Sequence, residues 1–411
     1  MSEKMDVKLK DIESAQKLLS GYVEPTPLIK NIRLSEALGC DVYLKLENFQ
    51  PIGSFKIRGA TNRILRLDDK TRKKGVVAVS LGNHAQGVAW SSRMLDTKSL
   101  IVMPKEAPFT KIDKTRNLGA QVRLEGANYL EANQVARKIA DDTGAVFIPA
   151  YQDFDVISGQ GTVGLEIVEQ LPDVDVVIGP IGGGGLMGGT SVALKAKLPK
   201  VHIIGCQASG SSPMVDSINK GMPVTITGGK TFADGINIPE ASQVMFDLLK
   251  AHIDEFHTAS DEEIAASLLS LMEEGRMVVE GAGALPLSIL EKLRQRFQNK
   301  KVVLIISGGN IDVNLLSRII DQGLIKSGRR IRVDVVISDR PGSLTQLTQL
   351  ISEQSASVIQ AIHDRNEPST SLEETKVHLT LETRGKEHSH QIIEALKKAV
   401  RVIEVRSSAT L

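Results

Sequence analysis

The sequence lacks the features that mark secreted, membrane-spanning and nucleic-acid-binding proteins. Its 411 residues include two cysteines, Cys40 and Cys206, too few for a disulfide framework. Both lie in apolar stretches, where a buried, reduced thiol is expected. The 50 lysines and arginines nearly balance the 49 aspartates and glutamates, so no basic field is available to nucleic acid or to an acidic membrane surface.

Long hydrophobic runs are also missing. No apolar run approaches the roughly 18 residues that indicate a membrane span. The segment from Met1 to Glu13 alternates in charge and has no apolar core of the kind found in signal peptides. These absences predict a soluble, cytoplasmic protein that binds neither nucleic acid nor membrane.

What the chain does contain is a long alternation of short apolar strands with helices, from Gly75 to Gly205. This pattern predicts a parallel sheet in an α/β domain. An earlier strand is predicted at Asp41 to Glu47, and Ser260 with Glu263 forms a capping box that begins a later helix. Residues 208–240 are rich in Gly, Ser and Pro, which predicts loops near the mouth of a site. A chain of this length should fold as two or three domains.

Four short motifs combine a glycine-rich or polar turn with the start of a helix. In open α/β sheets such turns meet at the carboxyl ends of the strands, so we expect the four to form one site. They are Gly53-Ser54-Phe55-Lys56-Ile57-Arg58-Gly59-Ala60, Ser80-Leu81-Gly82-Asn83-His84-Ala85-Gln86-Gly87, Gly182-Gly183-Gly184-Gly185-Leu186 and Ser307-Gly308-Gly309-Asn310.

Two of these motifs suit a particular chemistry, although only the four motifs together are specific. Lys56 lies near a helix N-terminus, where the helix dipole disfavours an ammonium, and an amine of lowered pKa is a nucleophile for a carbonyl group. The four glycines expose backbone N–H groups at another helix N-terminus, an arrangement that binds phosphate. They also fit the glycine pattern of dinucleotide-binding folds through Gly183, Gly185 and Gly188. The next strand, however, ends in Gly205-Cys206-Gln207 without the expected acid, which argues against NAD.

Taken together, the four motifs and their order resemble those of fold-type II pyridoxal phosphate enzymes, and most of all the threonine/serine dehydratases, or threonine ammonia-lyases. The resemblance covers residues from about 10 to 325. It implies an α/β catalytic domain at 1–325 with two parallel-sheet subdomains, of which the smaller spans about 42–155. It also implies that the cofactor is pyridoxal 5'-phosphate.

The resemblance implies roles for individual residues as well. Lys56 binds the aldehyde of the cofactor and is the catalytic residue that removes a proton from the substrate. The substrate carboxylate is held by the main chain of Ser80, Leu81, Gly82, Asn83 and His84, and the His84 ring is expected to be structural. Asn83 contacts the 3′-oxygen of the cofactor, and Ser307 faces the pyridine nitrogen. The residues implied to bind the cofactor are Lys56, Asn83, Gly182, Gly183, Gly184, Gly185, Leu186, Gly235 and Ser307.

Two positions favour elimination over other reactions of such enzymes. The Ser307 hydroxyl cannot protonate the pyridine nitrogen as a carboxylic acid could, so the ring is a weaker electron sink, which disfavours transamination. Related serine racemases carry a serine where this chain has Leu81, and leucine cannot exchange a proton. The resemblance therefore implies conversion of L-threonine to 2-oxobutanoate and ammonia, and of L-serine to pyruvate.

Alternative functions stay open from the sequence. One is a β-replacement synthase, another is a serine racemase-like enzyme, and a third, from a different class, is a non-catalytic amino-acid sensor. Many dehydratases have an acid at the position of Gln207, and relatives often have Glu-Pro where this chain has Glu280-Gly281. Some relatives bind a cation, but no metal-ligand spacing is present here, so the sequence leaves metal binding open.

The C-terminal part begins a new pattern. The charged segment 326–330 predicts a linker, and residues 331–411 show the strand and helix order βαββαβ. With its turn from Asp339 to Leu344, this part resembles an ACT domain, a regulatory module of amino-acid enzymes. The resemblance implies a homodimer or homotetramer that responds to an amino-acid effector, isoleucine or valine being the first candidates. The turn leads into a helix N-terminus, where N–H groups could hold a carboxylate.

Overall fold

The computed structural model describes residues 6–366 and 371–406. The chain forms two compact units, Met1–Ile311 and Asp312–Leu411. Residues 1–5, part of the segment predicted not to be a signal peptide, lie outside the described residues. So do residues 367–370 and 407–411 of the predicted C-terminal domain.

The first unit alternates strands and helices, as the sequence pattern predicts. Its helices are α1 (Leu9–Leu19), α2 (Ile32–Leu38), α3 (Lys56–Leu65), α4 (Asp69–Lys73), α5 (Asn83–Met94), α6 (Phe109–Asn117), α7 (Tyr129–Thr143), α8 (Phe154–Gln170), α9 (Gly185–Lys197), α10 (Pro213–Lys220), α11 (Gln243–His252), α12 (Asp261–Glu273) and α13 (Gly281–Leu293). Its strands are β1 (Leu28–Lys30), β2 (Asp41–Leu46), β3 (Val76–Val79), β4 (Ser99–Met103), β5 (Gln121–Leu124), β6 (Val146–Phe147), β7 (Val176–Pro180), β8 (His202–Ala208), β9 (Glu255–Ala259) and β10 (Lys301–Ile306).

The larger sheet of this unit has six strands in the order β1-β2-β10-β7-β8-β9. β1 is antiparallel to β2, and all other neighbours are parallel. The central strands β7 and β10 are buried along almost their whole length, which explains their continuous apolar sequences. Helices α8 and α9 cross closely at Gly189, where a Cβ atom would lie 2.2 Å from the Ile157 carbonyl oxygen.

The smaller sheet has four parallel strands in the order β5-β4-β3-β6. Two parallel sheets confirm the predicted α/β fold. The extent of the smaller subdomain differs from the prediction, because all six residues of β2 pair with β10 in the larger sheet. The prediction of a smaller subdomain from residue 42 therefore begins too early. A local apolar pattern identifies a strand but does not reveal which distant strand it pairs with.

Two loop and cap predictions can be compared with the structure. The capping box is present, with the Ser260 hydroxyl accepting from the Glu263 N–H and the Glu263 carboxylate accepting from the Ser260 N–H. Residues 208–240 are mostly irregular but contain α10 and a short 3-10 turn at Asp234–Ile236. The sequence pattern predicted no element where α11 and β9 lie. β9 is only half-buried and carries polar residues on both sides, so its sequence lacks a strand's alternation.

The second unit has the predicted order βαββαβ, preceded by one further helix. Its helices are α14 (Val313–Lys326), α15 (Ser343–Glu353) and α16 (Lys386–Ala399), and its strands are β11 (Arg330–Ser338), β12 (Ser357–Asp364), β13 (Glu374–Glu382) and β14 (Arg401–Arg406). The strands form an antiparallel sheet in the order β12-β13-β11-β14. Alternate residues of β11 and β13 face α15 and α16 across the core of this unit.

The boundary between the units differs from the predicted linker at 326–330. α14 belongs to the second unit, and residues 326–330 contain its last residue, a turn and the first residue of β11. A hydrogen bond fixes this turn, because the Arg329 carbonyl accepts from the Thr383 N–H over 2.9 Å. Small and charged residues in this segment therefore form a tight helix-to-strand turn.

The prediction of two unpaired, buried cysteines is confirmed, because Cys40 and Cys206 are both free and buried. Burial raises the pKa of the Cys40 thiol to about 11, so it stays protonated at neutral pH. Among the described residues, every helix is too short or too polar to cross a bilayer.

Candidate active site

Lys56 is the first residue of α3 and follows a tight turn that is hydrogen-bonded to the segment after β10. Gly53 in this turn has a φ of +71°, a left-handed conformation that glycine adopts without strain. The Phe55 N–H donates to the Ser307 carbonyl over 3.1 Å, and the Gly309 N–H donates to the Gly53 carbonyl over 2.9 Å. The structure thus brings the first and fourth motifs together.

The Lys56 amine is partly buried and donates to the Ala150 carbonyl over 3.1 Å. Burial lowers the pKa of this amine to about 8, and the opposite charge of Glu280 limits the decrease. Near neutral pH, roughly a tenth of the amine is therefore unprotonated. That is the form that attacks a carbonyl group or accepts a proton.

Asn83 begins α5, and its side-chain amide joins two other segments of the chain. Its Nδ2 lies 2.9 and 3.0 Å from the two carboxylate oxygens of Glu280. Its Oδ1 accepts a hydrogen bond of 2.8 Å from Asn310 Nδ2, which also donates to the Ile52 carbonyl over 2.7 Å. Side-chain hydrogen bonds therefore join the second motif to the fourth motif and, through Asn310, to the turn that precedes Lys56.

The other residues of the second motif surround Asn83. The Ser80 hydroxyl accepts from the Gly82 N–H over 3.1 Å, and Leu81 packs against the core of the smaller sheet. His84 is buried, and its Nε2 is 2.9 Å from the Ile148 carbonyl, so Nε2 carries a hydrogen and donates. Burial, with a smaller effect of the Lys56 charge, lowers the pKa of His84 to about 3. A neutral ring bonded to the main chain fits the expected structural role.

The glycine loop from Gly182 to Gly185 connects β7 to the N-terminus of α9. Gly184 has a φ of +94°, and a Cβ atom on Gly183 would lie 2.4 Å from the ring of Tyr151. Side chains are thus excluded here both by conformation and by space. Leu186 follows in the first turn of α9 and is buried in the core below. A glycine loop at the start of a long helix offers N–H groups and a favourable dipole to an anion.

Ser307 and Gly235 complete the set of predicted residues. The Ser307 hydroxyl is buried and finds no hydrogen-bond partner among the residues that the structure describes. A buried hydroxyl without a partner is costly, and a ligand atom at this place would satisfy it. Gly235 lies between the glycine loop and Glu280: a Cβ on Gly182 would be 3.3 Å from the Gly235 carbonyl oxygen, and a Cβ on Gly235 would be 3.5 Å from Glu280 Oε1.

Comparison with known proteins identifies the family. Residues 19–308 match the family model described as pyridoxal-phosphate dependent enzyme. The chain belongs to this family. A second model, the ACT domain, matches residues 327–406.

Individual relatives agree with this assignment. The chain is 46% identical over 387 residues to the L-threonine ammonia-lyase of Thermotoga maritima, covering 94% of this chain and 96% of that protein. Among solved structures, it is similar to threonine deaminase isoform 2 from Solanum lycopersicum, at 34% identity with a TM-score of 0.74 over 78% of this chain and 88% of that one. It is also similar to maize serine racemase, at 32% identity with a TM-score of 0.73 over 77% of this chain and 98% of that one.

The site of this pyridoxal-phosphate-dependent enzyme fits its cofactor. A lysine amine of lowered pKa can bind the aldehyde, the loop from Gly182 to Gly185 can hold the phosphate, and the Ser307 hydroxyl lacks a partner that a ring nitrogen could supply. Sequence motifs found these three groups because each has a local pattern. We predicted no role for Glu280 from the sequence, although its position just before a helix with two glycines in its first turn could have indicated one. No sequence pattern predicted a role for Tyr151, because only the fold places its ring against the glycine loop.

Gln207 stands where the resemblance to dehydratases led us to expect an acid. Its Oε1 accepts from the Met214 and Val215 N–H groups, each over 2.9 Å, and its Nε2 donates to the Ile181 carbonyl over 3.2 Å. Because a carboxylate could not make the last of these bonds, the amide suits this place. The described residues contain no cluster of three or more His, Cys, Asp or Glu side chains that could hold a metal ion.

Proposed function

We propose that the chain is an L-threonine ammonia-lyase that also acts on L-serine. The observation that supports the proposal is the Lys56 amine of lowered pKa, which is hydrogen-bonded to Ala150 next to the Tyr151 ring that packs on the glycine loop. The buried Ser307 hydroxyl without a described partner adds to it, as does the 46% identity to an L-threonine ammonia-lyase over 94% of this chain. The overall reaction removes the β-hydroxyl as water and releases ammonia after hydrolysis. It gives 2-oxobutanoate from threonine and pyruvate from serine.

The proposed roles follow from the contacts of each residue. Bound pyridoxal phosphate supplies an electron-withdrawing ring that stabilises the charge left on the α-carbon when its proton is removed. Lys56, with its pKa of about 8, takes that proton near neutral pH. Asn83 presents an amide N–H to the ring substituents, and the main chain of residues 80–84 binds the substrate carboxylate. Ser307 offers a hydroxyl to the ring nitrogen and cannot supply a proton as an acid would.

A racemase is the second candidate, because the maize serine racemase is similar in fold. Racemisation needs a second acid or base on the face opposite Lys56. Leu81, at the position that carries a serine in related racemases, has no exchangeable proton. We therefore expect L-serine to give pyruvate with little D-serine, measured by chiral chromatography beside an assay of 2-oxobutanoate from L-threonine.

A pair of variants makes this test specific. Leu81→Ser should raise the ratio of D-serine to pyruvate, whereas Leu81→Ala, which opens the same space without a hydroxyl, should not. Comparable yields of D-serine and pyruvate from the unmodified enzyme would contradict the elimination proposal. Absence of ammonia release from both amino acids would instead favour a non-catalytic sensor.

We further propose that the second unit pairs with a second copy and makes the enzyme responsive to an amino acid. Support comes from β12, an edge strand of its sheet whose residues are almost all exposed. Val358, Ile359 and Ile362 on this strand are 40%, 50% and 49% exposed. An apolar edge strand with unpaired main-chain groups is a template for pairing with another strand.

Ile359→Lys should therefore weaken both association and regulation. Sedimentation should show an oligomer for the unmodified chain and a shift toward the 44.5 kDa monomer for the variant. Isoleucine or valine should change the apparent threonine affinity of the unmodified enzyme by about 5- to 150-fold, and the variant should lose this change. Leu372→Lys, which alters an exposed apolar residue of the same unit outside β12, is the control. An unchanged oligomer and effector response in Ile359→Lys would refute the proposal.

A further inference from the structure

Glu280 places a buried carboxylate beside residues of the second and fourth motifs. It is the residue before α13, and only 5% of its surface is exposed. Its N–H donates to the Gly308 carbonyl over 3.1 Å, which fixes the Glu280 segment against the fourth motif. A Cβ atom on Gly308 would lie 2.4 Å from Glu280 Oε1, so the carboxylate fills the space beside the turn that contains Ser307.

The partners of Asn83 determine which way its amide points. An amide can be turned over, so that its nitrogen and oxygen exchange places, unless its neighbours distinguish a donor from an acceptor. An ionised Glu280 can only accept, and Asn310 Nδ2 can only donate. Asn83 must therefore direct Nδ2 toward Glu280 and Oδ1 toward Asn310.

The near-equal distances leave one hydrogen of Asn83 unused. Both Glu280 oxygens lie about equally far from Nδ2, at 2.9 and 3.0 Å, so they can share one N–H in a bifurcated bond. The second N–H of the same nitrogen then remains for a ligand. An asparagine without this carboxylate could present its oxygen instead, and an oxygen repels the oxygen substituents of the cofactor ring.

We propose that Glu280 is a positioning residue of the cofactor site, whose ionised carboxylate holds the Asn83 amide in the one orientation that offers an N–H to the cofactor. This inference rests on the role proposed above for Asn83, but not on the identity of the amino-acid substrate. It assigns a function to a buried acid that contacts neither the glycine loop nor the hydroxyl of Ser307.

The orientation of the Asn83 amide should depend on pH, because Glu280 titrates near neutrality. Burial raises the pKa of Glu280 to about 7, with a smaller upward effect of Asp234, while the Asn83 hydrogen bond and the Lys56 charge lower it. Asp234 is itself paired with Lys111 at 2.5 Å. Above about pH 7 the carboxylate is ionised and only accepts. Below that pH it gains a hydrogen, becomes a donor on one oxygen, and loses its hold on the Asn83 amide.

Glu280→Gln tests this inference, since glutamine has the same shape but no titration and a nitrogen in place of one acceptor. Apoprotein should be titrated with pyridoxal phosphate at pH 6 and pH 8, and binding followed by the visible absorbance. At pH 8 the variant should bind the cofactor about 10- to 100-fold more weakly, the range for loss of a hydrogen bond to a charged group. At pH 6 the two proteins should differ much less. In the unmodified protein kcat/KM should fall below pH 7, and this fall should be smaller in the variant.

Glu291→Gln is the matched control. Glu291 lies on α13, the helix that Glu280 precedes, and it accepts from the Ser267 hydroxyl over 2.8 Å. Burial raises its pKa as well, but it is not among the residues of the site. This variant should bind the cofactor as the unmodified protein does at both pH values. If Glu280→Gln shows the same affinity and pH dependence as Glu291→Gln, the inference is overturned. Because cofactor binding is measured without substrate, the inference about Glu280 can be tested even if threonine proves not to be the substrate.

Discussion

Lys56→Ala should abolish the visible absorbance of the bound cofactor and reduce ammonia release by at least about a thousandfold. The variant removes the amine that the proposed mechanism uses twice, to bind the aldehyde and to move the α-proton. No other lysine amine is hydrogen-bonded to Ala150 among the described residues. The measurements are an absorbance scan of the purified protein and the rate of 2-oxobutanoate formation from L-threonine.

The fold should survive this change. Burial lowers the pKa of Lys56, which means that the folded protein disfavours the ammonium relative to the unfolded chain. Removing the amine should therefore leave the melting temperature unchanged or slightly higher. Lys386→Ala removes an exposed lysine that also begins a helix, and it should affect neither absorbance nor rate. A Lys56→Ala protein that turns over threonine normally would disprove the assignment of the site.

Arg58→Met should destabilise the first unit by about 3–5 kcal/mol, the cost of removing one partner from a buried charge network. Arg58 lies two residues after Lys56 and is almost fully buried. Its guanidinium donates to both oxygens of Glu47, over 2.7 and 2.8 Å, and to both oxygens of Glu166. Without it, two buried carboxylates would face a single remaining cation, Lys45, which is paired with Glu166 at 2.5 Å.

The direction of the Glu47 pKa agrees with a charged network in the folded protein. Burial alone would raise that pKa, but Arg58, Lys45 and a hydrogen bond from Thr26 together hold it below the ordinary value for a glutamate. The network connects α3 to β2 and α8, so it fixes the helix that begins with Lys56. Loss of Arg58 should therefore also lower the affinity for the cofactor.

Urea unfolding at neutral pH is the appropriate measurement, with Arg33→Met as the control. Arg33 pairs with Glu274 at 3.0 Å, and the two side chains are 58% and 39% exposed to solvent. Exposed pairs contribute about 0–1 kcal/mol, so this variant should remain near the unmodified protein. Equal free energies of unfolding for the two variants would show that the buried network does not stabilise the fold.

The sequence was most informative where function needs a local pattern. The turn before Lys56, the glycine loop and the turn after β10 each combine residues that are close in the chain, because a strand-to-helix turn is built from consecutive residues. The order βαββαβ was readable for the same reason, since each short element has its own periodicity. These features predicted the fold class and the residues that the structure brings together.

Tertiary structure decided the features that depend on partners far apart in the chain. β2 joins β10 across more than two hundred residues, and no local pattern reveals that pairing. Glu280 reaches Asn83 in the same way, so its role depends on two turns meeting in space. The pKa values of Lys56 and Glu280 likewise arise from burial, which is a property of the packed molecule. The sequence by itself therefore predicted the chemical groups that we assign to the site, while the fold determined how those groups are oriented and charged.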